Sequence, residues 1–98
     1  MSKDDIPQEL KQVREQIDAI DERLVALLAD RFKLTHQVGQ LKANRALSAL
    51  DADRESQKLA RLRELCQEQG LNPELVEDLF SQIMREVVKN HEKLRQQQ

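Results

Sequence analysis

The sequence predicts an all-α chain of three helices, the first much longer than the others. Three observations carry this reading. A heptad seam of apolar residues runs through the first half of the chain. Charged residues make up 35% of the sequence and aromatics 2%, a balance that suits helical bundles rather than sheets. Capping and breaking residues then divide the second half into two shorter helical segments. The 98 residues fit a single domain, though one with a small core, and residues 1–98 are expected to form one.

The first helix is expected over about residues 7–44, with Pro7 in its first turn. Positions 10, 13, 17, 20, 24, 27, 31, 34, 38 and 41 alternate by three and four. They read Leu, Val, Ile, Ile, Leu, Leu, Arg, Leu, Val, Leu, so nine of ten are apolar. From Leu10 to Lys42 such a helix spans roughly 50 Å, against a radius of gyration of about 13 Å for a compact domain of this size. Something beyond the rest of one chain must cover the seam. Gly39, inside this helix, costs about 1 kcal/mol relative to alanine, so close packing or a ligand's approach should account for it.

Residues 44–50 lose the heptad and read as a loop. Asp51 then caps a second helix, expected over 51–69, with Leu59, Leu62, Leu65 and Cys66 on its apolar side. Gly70 ends it, and Asn72-Pro73 supplies a cap and an N1 proline for a third helix over 73–96. That helix carries Val76, Phe80, Ile83, Met84, Val87, Val88 and Leu94 on one side, and His91 falls among them.

Sixteen basic and eighteen acidic residues leave a net charge of −2, which gives no general attraction to nucleic acid or to an anionic membrane. No apolar run approaches membrane-spanning length and the amino terminus has no apolar core, so a cytoplasmic protein is expected. The single cysteine, Cys66, leaves no intrachain disulfide and no metal cluster. No cofactor is expected.

Several polar groups stand where the pattern asks for hydrophobes. Arg31 is on the seam, where it serves either as a register device or as a ligand for an anion. Lys42 follows by eleven residues, so the two share a face roughly 16 Å apart along the axis, and their long side chains can converge on a small dianion. Arg14 flanks the seam about 25 Å from Arg31, so the two reach one small ligand only if a second copy runs antiparallel. Asp51, Arg54 and Glu55 open the second helix. Acids there complement the helix dipole, whereas the Arg54 cation gains nothing from it. There is no nucleophile–base pair and no glycine-rich loop.

The order and spacing of these segments resemble the all-helical, AroQ-class chorismate mutases. The resemblance runs from Leu10 to about Leu94. It rests on Val13-Arg14-Glu15-Gln16-Ile17-Asp18-Ala19-Ile20-Asp21, Leu27-Leu28-Ala29-Asp30-Arg31, Val38-Gly39-Gln40-Leu41-Lys42, Asp51-Ala52-Asp53-Arg54-Glu55 and Leu79-Phe80-Ser81-Gln82-Ile83-Met84. It implies an intertwined homodimeric six-helix bundle with two sites, each taking Arg14 from the other subunit. The remaining site residues, Arg31, Lys42, Asp51, Arg54, Glu55, Val87 and His91, come from one chain.

The implied reaction is the pericyclic rearrangement of chorismate to prephenate on the route to phenylalanine and tyrosine. In it Arg14, Arg31 and Arg54 clamp the two carboxylates, and Lys42 donates to the breaking ether oxygen. Glu55 and the Asp51 backbone hold the ring hydroxyl. Two positions depart from the commoner pattern. Val87 stands where a serine is frequent, and His91 where a glutamine or glutamate donates to the ether oxygen. Histidine carries an N–H in either protonation state, so a donor role is expected to survive.

Two other functions compete. Isochorismate-pyruvate lyases share the scaffold but are apolar at the Glu55 position and proline-rich before it, unlike this stretch. A non-catalytic helical dimerisation module would make Arg31 a register device and would bind no small dianion.

Overall fold

The computed structural model describes residues 6–48 and 51–97. The expectations that fall on residues 1–5, 49–50 and 98 lie outside them. Three helices follow one another, α1 (Gln8–Asn44), α2 (Ala52–Gln69) and α3 (Pro73–Gln96), with no strand among the described residues. No helix among the described residues is long and apolar enough to cross a membrane. The chain divides into two compact units, Met1–Lys33 and Leu34–Gln98.

Helix α1 has 37 residues, about 56 Å at 1.5 Å per residue. It starts one residue after Pro7, whose carbonyl accepts from the backbone N–H groups of Leu10 (3.1 Å) and Lys11 (3.2 Å). Proline is suited to this edge because it fixes φ and the first N–H groups of a helix have no internal acceptor. All nine apolar seam residues are exposed, from Leu10 at 41% to Leu27 and Leu34 at 61%.

The C-terminus of α1 closes by a device that the sequence does not announce. Ala46 has φ 54, the left-handed conformation usually left to glycine. Its N–H donates to Ala43 O at 3.2 Å, and that of Leu47 reaches back to Lys42 O at 2.7 Å. These bonds satisfy carbonyls that the last turn leaves without partners.

Helices α2 and α3 form a hairpin. At its turn, Gly70 is left-handed (φ 69) and its N–H donates to Cys66 O. Asn72 caps α3 through its side chain, which accepts from Glu74 N at 3.1 Å, and Pro73 opens the helix. Arg63 donates through Nε (2.7 Å) and a second guanidinium nitrogen to Glu77 Oε1. That pairing registers the hairpin, so the start of α2 lies beside the last turns of α3. Cys66 and Ile83 are buried, and Leu59, Leu62, Leu65, Val76, Phe80, Met84, Val87, Val88 and Leu94 are half-buried. The apolar sides read from the helical period are therefore the sides that pack.

Candidate active site

The second unit assembles a group of polar side chains at one end of the hairpin. Lys42, in the last turn of α1, is half-buried. It lines a cavity of about 380 Å³ with Leu47, Ser48, Asp51, Ala52 and Asp53, a volume suited to a small metabolite. The turn at Ala46 brings the chain back over Lys42, and the cap at Asp51 presents the start of α2. Asp51 Oδ1 accepts from the Arg54 backbone N–H at 3.0 Å, and Asp51 O accepts from the Glu55 N–H at 3.0 Å. These two bonds fix Asp51, Arg54 and Glu55 as one turn. Glu55 is half-buried there, while the Arg54 side chain is exposed. The positive end of the α2 dipole adds to the Lys42 charge in favouring an anion at this end.

His91 is buried, with 4% of its surface exposed. Its Nε2 lies 2.7 Å from the Thr35 carbonyl oxygen, which only accepts, so Nε2 carries the hydrogen. Nδ1 is buried with no hydrogen-bond partner. In the neutral ring it holds a lone pair and no hydrogen. The expectation that histidine keeps an N–H for a ligand in either protonation state therefore fails for this arrangement, because the neutral ring's one hydrogen is given to Thr35. Val87, one turn earlier, is half-buried and places a methyl-bearing surface on the same side of α3.

Gly39 explains how the ring comes so close to α1. A Cβ at that position would lie 2.5 Å from His91 Cδ2, 3.0 Å from its Nε2 and 2.8 Å from Leu94 Cδ1. Close packing, rather than a backbone conformation, requires glycine here. Arg14 and Arg31 stand in the first unit, the former exposed and the latter half-buried, and are not among the groups just described. Among the described residues no cluster of His, Cys, Asp and Glu is arranged to hold a metal ion.

A family model described as chorismate mutase type II matches residues 13–92, a span that contains Arg14, His91 and every predicted site residue between them. The chain belongs to the chorismate mutase type II family. It is 38% identical over 78 residues to a T-protein of Enterobacter agglomerans, covering 80% of this chain and 21% of that protein. It is also 38% identical over 85 residues to the bifunctional chorismate mutase/prephenate dehydratase of Escherichia coli K12, covering 87% of this chain and 22% of the relative. A chorismate mutase of Methanocaldococcus jannaschii is 28% identical over 90 residues, with 92% and 87% covered. The chain thus spans about a fifth of the length of the T-protein and the bifunctional relative.

Within this chorismate mutase type II chain, sequence reasoning missed Thr35. Its part is played by a backbone carbonyl, which every residue has, so no residue type could signal it. Gly39 did stand out, as a helix breaker inside a long helix, but its neighbour across the fold lies 52 positions later.

Proposed function

We propose that the chain catalyses the rearrangement of chorismate to prephenate as a homodimer with two equivalent sites. The observation that carries this reading is the shared cavity of Lys42 and Asp51, next to the turn that holds Arg54 and Glu55, in a chain of this family. The reaction is unimolecular and needs no proton transfer. Catalysis then consists of holding the folded conformer and stabilising the charge that develops on the ether oxygen.

Arg14 from one subunit and Arg31 and Arg54 from the other clamp the two carboxylates, for which guanidinium forks are well shaped. Lys42 donates to the ether oxygen and His91 is the second group directed at it. Glu55 and the Asp51 backbone hold the ring hydroxyl, and Val87 lines the site without a polar contact. Residues 1–98 act as one domain in this reading, and its place is the cytoplasm, where a single reduced thiol at Cys66 is at home.

The dimer is supported by the uncovered seam. Nine apolar side chains along a helix of about 56 Å remain exposed, a contiguous surface of the kind that soluble chains cover with a partner. A second antiparallel copy meets that need and carries Arg14 toward the site of its neighbour. An ultraviolet assay of chorismate loss, with the product identified, tests the activity. Prephenate is the expected product. Salicylate and pyruvate from isochorismate would instead make the chain a lyase, and no turnover of either would leave a dimerisation module. Sedimentation equilibrium should return twice the mass of the chain, and a monomer at micromolar concentration would remove the dimer.

A further inference from the structure

We propose that Gly39 and the Thr35 carbonyl are positioning groups that select Nδ1, and not Nε2, as the atom of His91 that meets the ligand. This rests on the reading of His91 as a contact to the ether oxygen. Three observations lead to it. The Nε2 hydrogen is given to Thr35 O at 2.7 Å. The ring sits where any side chain at position 39 would collide with its Cδ2–Nε2 edge. Nδ1 is buried and has no partner in the protein, and such a nitrogen calls for one.

A bare Nδ1 and an ether oxygen both present lone pairs, so they attract only once Nδ1 gains a proton. Binding is then accompanied by uptake of one proton at Nδ1. No covalent bond forms or breaks, and the ring leaves the step as a cation with both nitrogens donating. Within the second unit, α1 carries His36 and Lys42, α3 carries Lys89, Glu92, Lys93 and Arg95 within four residues of the ring, and residues 51–55 at the start of α2 carry both signs. Glu92, the one carboxylate among these α1 and α3 groups, is exposed, and solvent supplies the proton.

Nitrogen NMR of the labelled protein reads this directly, with exposed His36 as the internal reference. At alkaline pH, where imidazoles are neutral, free His91 should show a protonated Nε2 and a bare Nδ1. Adding a bicyclic dicarboxylate ether that mimics the transition state should protonate Nδ1 and leave Nε2 bonded as before. Calorimetry at neutral pH, in two buffers of different ionisation heat, should show net proton uptake. A free protein with its hydrogen on Nδ1, or a bound complex in which Nε2 responds, would overturn the proposal. Binding of the mimic with no change at either nitrogen would remove His91 from the site.

Failure of the mutase reading is a separate outcome. The mimic would then not bind at all, and the proposal would fall with that reading whatever the free tautomer shows. For the glycine, Gly39→Ala should lower kcat about tenfold to a hundredfold, the scale of a misplaced catalytic group, and abolish the fixed tautomer. In a His91→Gln background the same substitution should cost much less, because the effect passes through the ring. Equal cost in both backgrounds would make Gly39 a packing residue only. Should Gly39→Ala not fold, the wild-type titration still decides which nitrogen acts.

Discussion

Lys42 brings a flexible ammonium to a cavity that also receives the first turn of α2. Replacing it by alanine removes a donor needed only as charge builds on the ether oxygen. Lys42→Ala should therefore lower kcat by about 3 kcal/mol of barrier, with a smaller change in KM. Arg31→Ala should chiefly raise KM, because a carboxylate clamp holds substrate and transition state alike. Steady-state kinetics of the two variants check both, and near-wild-type values would remove the proposed site. At this scale the sequence was informative wherever chemistry resides in a residue type. Lys42, Asp51, Arg54 and Glu55 were candidates from their positions, and three of them prove to share one turn. The tautomer of His91 was not legible, since it depends on a main-chain oxygen 56 residues away.

Among the elements, the α2–α3 hairpin was legible because its signals are local. Gly70, Asn72 and Pro73 occupy the positions that their backbone chemistry suits. The end of α1 was not, because alanine carries no signal for a left-handed turn. Ala46 nevertheless adopts φ 54, a conformation that costs an L-residue roughly 1–2 kcal/mol. Glycine avoids that cost but gives up more freedom on folding. Ala46→Gly should therefore stabilise the chain by about 0.5–1 kcal/mol. Urea unfolding should show the gain as a higher midpoint with an unchanged slope. Because this turn leads from Lys42 toward Asp51, a loss of stability would mean that the closing bonds at Ala43 and Lys42 depend on a side chain at position 46.

For the whole molecule, the proposed sharing of each site between subunits predicts complementation. Arg14→Ala and Arg31→Ala chains should each be inactive. Unfolded together and refolded as an equal mixture, half the dimers are mixed, and each mixed dimer has one site with both arginines intact. Roughly a quarter of wild-type activity should return. Subunit exchange shown by mass spectrometry without any such recovery would exclude the shared site. The seam behind this prediction was legible in full, because a three-four alternation is a statement about one face of one helix. What covers that face is not written in the helix itself.

The uncovered seam also sets a dosage rule. If two chains must meet before a site exists, the number of sites at low expression follows the square of the amount of chain made, not the amount itself. Diluting the purified protein below its dimer dissociation constant should then lower specific activity, and the melting temperature should climb with the logarithm of concentration. Halving synthesis in a cell would cost more than half of the flux.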